Sequence, residues 1–177
     1  DDREAISEGV GAALAAIETG SARPSPDQAW ERRCRPGQVD LHFFRHSAWP
    51  DFVAEIIDRC RHGMARHDLR DADLTGSLQV TADHQAAVGE HEIFFMGSDF
   101  GSNNTVVHEG RFARFVDLEM SRYGNAVFLV GTGLFMVWRQ GPEHAAALIR
   151  GYRRVSERSD LPEFLRLCRI FAPFSYW

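Results

Sequence analysis

The sequence contains no lysine. All 20 of its basic residues are arginine, against 25 acidic residues, and the formal net charge is −5. Without lysine the chain can form neither a lysine Schiff base nor a lysine-based phosphate loop. Any anion that it binds must be held by arginine, whose guanidinium pairs with carboxylates and phosphates through two parallel hydrogen bonds. The acidic balance disfavours nucleic acid as a general partner.

Cysteine and long apolar runs are also scarce. Cys34, Cys60 and Cys168 are odd in number and far apart, which disfavours a disulfide framework and a thiolate zinc site and indicates a reducing, cytoplasmic compartment. The longest apolar run, Ala126–Trp138, is shorter than the roughly 20 residues of a membrane span and is interrupted by two glycines. We therefore expect a cytoplasmic domain with no membrane partner.

The length of 177 residues suits one domain, with or without a terminal arm. Apolar residues at helical spacing predict a helix over residues 3–19. The proline- and arginine-rich stretch 20–38 reads as a linker. We expect residues 1–38 to form an N-terminal helix and linker arm, and residues 39–177 to form a single α+β domain.

The predicted domain has an antiparallel β-meander as its centre. A strand over 39–44 and a helix from Pro50 to Arg66 precede a polar loop at 67–75. Alternating apolar residues then predict about five strands between residues 76 and 139. The proposed strands lie at Leu78–Val80, Glu92–Met96, Thr105–His108 and Phe112–Met120, followed by a tight hairpin that pairs Ala126–Val130 with Leu134–Trp138.

Two helices are expected to close the domain at its C-terminal end. The first begins at Gly141-Pro142-Glu143, where proline suits the first helical turn. The second begins at Asp160, which forms a capping-box pattern with Glu163. Both carry an apolar stripe at helical spacing, so we expect them to pack on the meander.

Histidines are the most conspicuous candidates for chemistry. His91 and His108 lie in the predicted β region, each flanked by glutamate, and two imidazoles with a carboxylate can ligate a transition metal. His46 follows a strand and Arg45, as the phospho-accepting imidazole does in histidine phosphatases, although Ser47 replaces the glycine of that family. Histidines at strand ends also occur with no such role, and no paired spacing of ligands is present.

Residues 90–138 resemble one half of the bacterial haem-utilisation proteins, the hemin-degrading and cytoplasmic haem-carrier group. The similarity lies in Asn-Asn-Thr-Val-Val-His-Glu at 103–109 and in the spaced glycines of Gly124–Gly131. The resemblance implies haem as cofactor and His108 as its axial ligand. It also implies that the propionates pair with Arg111, Arg114 and Arg122, and that the pocket has aromatic walls, for which Phe94, Phe112, Phe115 and Trp138 are candidates.

Three functions follow as hypotheses. The first is a haem carrier or haem-degrading protein. The second is a non-enzymatic acidic interaction module of the immunity-protein, chaperone or adaptor type, favoured by the charge, the small size and the apolar C-terminal tail. The third is a small metal-dependent or phosphoryl-transfer enzyme that uses His46, His91 or His108. A small molecule or a protein is the expected partner, a homodimer is one possible assembly, and 97–114 is the expected place of a small-molecule site.

Overall fold

Helices account for most of the fold in the computed structural model, which describes residues 2–20, 39–41, 44–46, 48–96, 102–117 and 122–174. In these ranges the helices are α1 (Asp2–Gly20), α2 (Trp49–Arg66), α3 (Ala72–Asp83), α4 (Gln85–Val88), α5 (Ala126–Trp138), α6 (Pro142–Val155) and α7 (Leu161–Phe171). The strands are β1 (Val39–Leu41), β2 (Phe44–His46), β3 (Glu92–Met96), β4 (Thr105–His108), β5 (Arg111–Phe115) and β6 (Arg122–Asn125). None of the described helices is both long and apolar enough to cross a membrane.

The predicted α+β meander is wrong, and the fold is mainly helical. The described strands pair in three separate antiparallel ladders, β1–β2, β3–β6 and β4–β5. The strands expected at Glu92–Met96 and Thr105–His108 are confirmed, and the one expected from Phe112 is confirmed as far as Phe115. Each ladder joins only two strands, so no continuous sheet exists among the described residues.

Two segments that were expected to be strands are helices. Leu78 and Val80 lie in α3, which begins where the Asp71 side chain accepts a hydrogen bond of 2.8 Å from the backbone N–H of Leu74. The expected hairpin 126–138 is the single helix α5, whose N-cap is Asn125. Such caps satisfy backbone donors that the first helical turn leaves free. Uniformly apolar sequence has no periodicity that could separate a buried helix from a buried strand.

The other predicted helices are confirmed. They correspond to α1, α2, α6 and α7. The expected loop at 67–75 is shorter, because α3 begins at Ala72. The expected capping box of α7 is wrong: Asp160 flanks the helix but makes no side-chain capping bond, because its carboxylate binds the guanidinium of Arg158 at 2.7 and 2.8 Å.

The core is built around α5. This helix carries no charged residue and is buried along most of its length, as expected of a helix that is apolar on every side. Its Phe128 stacks on Trp49 at 5.2 Å between ring centroids and meets Phe52 and Phe171 at 5.5 and 6.0 Å. Helices α2, α5 and α7 therefore share one aromatic cluster.

Helix α1 packs closely against α6 and supplies Val10, Leu14 and Ala15 to the core. The contact depends on two glycines. A Cβ atom at Gly11 would lie 1.9 Å from the carbonyl oxygen of Leu148, and one at Gly151 would lie 1.8 Å from that of Glu8. The expected linker falls mostly on residues 21–38, outside the described ranges, so the division into an arm and a domain stays a prediction.

We expect Gly11→Ala to destabilise the protein by about 1–3 kcal/mol, because the added methyl group forces α1 and α6 apart. Gly76→Ala is the matched control: Gly76 also lies within a helix, α3, but a Cβ there meets no atom within 4 Å. Alanine should instead stabilise that helix by about 0.8–1 kcal/mol. Urea unfolding of both variants tests the helix contact, and similar midpoints for the two would contradict it.

Candidate functional site: the base of the β4–β5 hairpin

The β4–β5 hairpin brings Asn104 and Asp117 to its open end. Thr105 pairs with Phe115, and one further bond of 2.9 Å runs from the backbone N–H of Val116 to the carbonyl oxygen of Asn104. Asn104 ends a short 3-10 turn and is buried, whereas Asp117 is exposed. An amide and a carboxylate therefore flank the last bridge of the ladder.

Asp117 has an unusual backbone conformation, with a φ of 60°. Only two other described non-glycine residues have positive φ, and both have a local reason: Asp68 follows the end of α2, and Glu109 lies in the two-residue hairpin turn with Gly110. Asp117 ends no helix and lies outside that turn. Aspartate tolerates this region better than most residues, yet the conformation still costs about 1–3 kcal/mol and is typical of functional positions.

Helix α1 fixes the hairpin from behind. Phe112 of β5 packs so closely on α1 that a Cβ at Gly9 would lie 2.6 Å from the Phe112 Cβ. Phe112 and Phe115 meet edge to face with centroids 4.8 Å apart, and both pack against the core. The apolar inner face of the hairpin thus holds its open end in a defined place.

No pattern in the sequence predicts a role for Asn104 or Asp117 as directly as the histidines suggest one. The sequence does hold a signal: Asp99 stands five residues before Asn104, and the hairpin then leads to Asp117. Aspartate, asparagine and a second aspartate beyond a hairpin are oxygen donors of the kind that Mg²⁺ prefers. The described residues contain no group of three or more His, Cys, Asp or Glu that could hold a metal. A magnesium site of one carboxylate, one amide and substrate phosphates would not form such a group.

The predicted haem ligand lies at the opposite end of the hairpin. His108 is 78% exposed, next to the turn, with its Nε2 atom 3.7 Å from a carboxylate oxygen of Glu109. Arg111 and Arg114 are exposed on β5, and the side chain of Arg122 lies outside the described part. Of the expected aromatic walls, Phe112 and Phe115 face the core, Trp138 lines a cavity beside α5, and the Phe94 side chain is not described. The structure brings no described set of these residues together around one pocket.

His91, the second predicted metal ligand, belongs to a different cluster. Its Nδ1 atom lies 2.9 Å from a guanidinium nitrogen of Arg158 and accepts a hydrogen bond from it, and its ring contacts Phe164 at 5.3 Å. A nitrogen that already accepts a hydrogen bond from a cation is poorly placed to bind a metal cation. His46 lies in β2, and its side chain is outside the described part.

Arg158 is the centre of this second cluster. Its guanidinium binds the carboxylates of Glu18 and Asp160 and lies 3.9 Å from the centroid of the Phe164 ring. Tyr152, fully buried, donates its hydroxyl hydrogen to Glu18. Burial raises the pKa of the Glu18 carboxyl above its usual value, while Arg158 acts against the rise. The hydrogen bond from Arg158 lowers the pKa of Asp160. The cluster joins α1, α6 and α7.

A third polar group pairs Ser7 with His144, both buried. The Ser7 Oγ atom lies 3.4 Å from His144 Nδ1, and Nε2 of that histidine lies 3.7 Å from a carboxylate oxygen of Glu143. The arrangement has the residue types of a hydrolase triad. However, the Ser7 hydroxyl donates its hydrogen to the backbone carbonyl of Arg3 at 3.0 Å and not to the imidazole, as a serine activated by a histidine would. We assign this pair to the packing of α1 against α6.

Comparison with known proteins adds no assignment: no family model, curated protein or solved structure shows significant similarity to the chain.

Proposed function

We propose that the base of the β4–β5 hairpin is the metal and phosphate site of an enzyme that transfers a phosphoryl group to a hydroxyl acceptor. In protein kinases an aspartate accepts the proton of the attacking hydroxyl, and an asparagine five residues later and a further aspartate bind Mg²⁺. Asp99, Asn104 and Asp117 have the same residue types in the same order, with the same spacing between the first two.

The observation that supports the proposal most strongly is the position of Asn104 and Asp117. The ladder and the Val116–Asn104 bond hold them on adjacent ends of two paired strands, and Asp117 has a φ of 60°. Asparagine and aspartate carry an amide oxygen and a carboxylate, ligand types that would suit a hard cation that completes its shell with waters and substrate phosphates. Bound there, Mg²⁺ would neutralise charge on the transferred phosphoryl group.

Asp99 has its role by spacing alone, since residues 97–101 lie outside the described ranges. A carboxylate at this position would accept the proton of the acceptor hydroxyl as the oxygen attacks phosphorus. The chain departs from the kinase pattern around these residues: Gly97-Ser98 precedes Asp99 where His-Arg is usual, and Leu118-Glu119 follows Asp117 where Phe-Gly is usual. The proposal consequently depends on the three site residues and not on their neighbours.

The absence of lysine sets a further condition. Protein kinases pair the nucleotide phosphates with a lysine on a strand. This chain has none, so the phosphate charge would have to be balanced by Mg²⁺ and by arginine. We therefore expect binding of the nucleotide to depend more steeply on Mg²⁺ than it would with a lysine present.

Calorimetric titration with a non-hydrolysable ATP analogue tests the proposal. We expect saturable binding in the presence of Mg²⁺ and about tenfold or more weakening in Asp117→Ala, because the carboxylate ligand of the metal is lost. Glu109→Ala is the matched control: Glu109 is also an exposed carboxylate with positive φ, on the turn at the far end of the same hairpin. It should bind as the unchanged protein does.

Hemin, the ligand of the alternative haem function, is tested in the same series of experiments. If hemin gave a Soret shift that His108→Ala removed, while the nucleotide analogue gave no heat, the phosphoryl-transfer proposal would fail and the haem function implied by the resemblance would stand. If neither ligand bound, while the protein co-purified with a specific partner protein, the interaction-module hypothesis would replace both.

A further inference from the structure

A large apolar cavity lies between α5, α6 and the 3-10 turn Ala172–Phe174. Its volume is about 560 Å³, within the range of about 300–1,000 Å³ that is usual for small-molecule sites. Phe135 and Trp138 of α5 form one wall, and Ala146 and Ile149 of α6 form another. Trp138 is 67% exposed, and together with the other apolar lining residues it forms one contiguous apolar surface that a ligand can reach.

One cation lines this cavity. Arg169 of α7 is the single charged residue among the lining residues, and it has no carboxylate partner in the described part of the chain. The other arginine in the second half of α7, Arg166, is engaged: it binds Glu163 at 2.5 Å and lies 2.8 Å from His84 Nε2. An apolar cavity whose one guanidinium has no carboxylate partner among the described residues, and whose lining includes no acidic residue, favours an anion over a cation or a neutral polar group.

We infer that this cavity binds an apolar carboxylate, a molecule with a hydrocarbon body and one carboxylate group. The body would lie against Trp138 and Ile149, and the carboxylate would pair with the Arg169 guanidinium. The site would stand apart from the β4–β5 hairpin, because none of its lining residues belongs to that hairpin. It therefore does not depend on the proposed phosphoryl transfer.

The charge of Arg169 decides against two other occupants. A second copy of the chain has a net charge of −5, but this charge is spread over its surface. A dimer contact at the cavity would bury the Arg169 guanidinium and would need an acidic residue of the second copy directly opposite it. An uncharged apolar segment would leave the guanidinium without a partner beneath it, which is costly once water is excluded. A small carboxylate satisfies both the apolar walls and the cation with one ligand.

Decanoate, kept below its micellar concentration, is the probe, and tryptophan fluorescence is the readout. We expect a saturable change in emission that is absent in Trp138→Phe, which keeps an aromatic ring but removes the reporter. Decanol and decyltrimethylammonium have the same chain with a neutral and a positive head group. They should bind roughly tenfold or more weakly than decanoate, because decanol offers the Arg169 guanidinium only a neutral acceptor and the ammonium offers no acceptor and is repelled.

Calorimetry with Arg169→Gln distinguishes the contribution of the ligand's head group to the affinity from that of its hydrocarbon chain. We expect decanoate to lose roughly tenfold in affinity and decanol to be unchanged, whereas Arg166→Gln, on the same helix, should alter neither. Ala146→Phe, which fills the cavity from an exposed position, should weaken both. Asp117→Ala should bind decanoate normally, so that failure of the phosphoryl-transfer proposal would not affect this one.

Three results would overturn the inference. The first is equal affinity for decanoate and decanol with no effect of Arg169→Gln. The second is that the protein is a dimer that Trp138→Ala dissociates, and that the fluorescence change reports dissociation of this dimer and not binding of the ligand in the cavity. The third is binding that appears only after removal of residues 175–177, which would mean that the chain itself occupies the cavity.

Discussion

Asp117→Asn and Asp99→Asn are each expected to reduce ATP-dependent phosphorylation of a hydroxyl substrate strongly, but in different ways. Asp117 would bind the metal, so its loss should lower the rate about 10²–10³-fold, as for other groups that stabilise transition-state charge. Asp99 would accept the hydroxyl proton, and loss of a general base lowers a rate about 10²–10⁴-fold. The assay follows transfer of the terminal phosphoryl group from radiolabelled ATP to a panel of small hydroxyl compounds.

The dependence on Mg²⁺ distinguishes the two roles. Asp117→Asn should require a higher Mg²⁺ concentration for half-maximal rate, because a carboxylate ligand has become a neutral amide. Asp99→Asn should keep the Mg²⁺ requirement of the unchanged protein and lose only the maximal rate. Glu109→Gln, at the far end of the hairpin, should keep both. A rate that none of these substitutions alters would place the chemistry elsewhere in the chain.

Arg158→Met is expected to cause the largest loss of stability, about 3–5 kcal/mol at neutral pH. Methionine retains much of the packing on Phe164 but leaves the Glu18 carboxylate buried without its cation, and breaking one partner of a buried pair costs an amount of this order. The side chains of Glu18 and Arg158 are 10% and 21% exposed, so solvent screens the pair only in part. Urea unfolding at neutral pH measures the loss.

The cost of Arg158→Met should shrink as the pH falls. Burial raises the pKa of Glu18, so this carboxyl favours the folded state when protonated, and its contribution is lost as pH rises through the folded-state pKa. Without Arg158 the pKa of Glu18 rises further. In the variant, protonation therefore removes the cost of the buried charge at a higher pH. Arg158 lowers the pKa of Asp160, so this ion pair stabilises the unchanged protein at neutral pH and is lost on acidification. The variant lacks the pair and has no such stabilisation to lose. Both effects bring the two proteins closer in acid.

Glu18→Gln provides the control for this explanation. It keeps an oxygen that can accept from Tyr152 and Arg158 but carries no charge. In this background Arg158→Met should cost about 1–3 kcal/mol less, which is the coupling measured by a double-mutant cycle, and should lose the part of its pH dependence that comes from Glu18. A cost that is the same in both backgrounds would show that packing alone, and not the buried carboxylate, determines the effect.

The helices that could be predicted from the sequence are amphipathic. In α2, α6 and α7 apolar residues recur at helical spacing, and proline stands in the first turn of each. The prediction of a β-meander was wrong where this helical spacing of apolar residues is missing. Helix α5 is apolar on all sides, so its length and its Asn125 cap were the only guides, and its two glycines suggested a turn. One of them, Gly133, instead makes room for Leu14, whose Cδ1 would lie 2.6 Å from an added Cβ.

The candidate site could be predicted only in part. The interval from Asp99 to Asn104 is visible in the sequence, and residues 97–114 were expected to contain a small-molecule site. Alternating side chains predict Asp117 as an ordinary residue of a strand that reaches Met120, whereas β5 ends at Phe115 and Asp117 has a φ of 60°. Alternation of side chains carries no information about a left-handed residue, because aspartate is compatible with both conformations. The apolar cavity needs three helices from separate parts of the chain, which no local pattern reveals.

Paramagnetic broadening by Mn²⁺ tests the central claim most directly. In a ¹H–¹⁵N spectrum recorded with the ATP analogue, substoichiometric Mn²⁺ should first broaden the amide signals of Asn104 and Asp117, and Asp117→Ala should abolish this. The signals of Glu109 and Gly110, at the other end of the hairpin, should persist longer. Broadening that begins at His108 or His91 and survives Asp117→Ala would contradict the proposal and would favour the histidine metal site expected from the sequence.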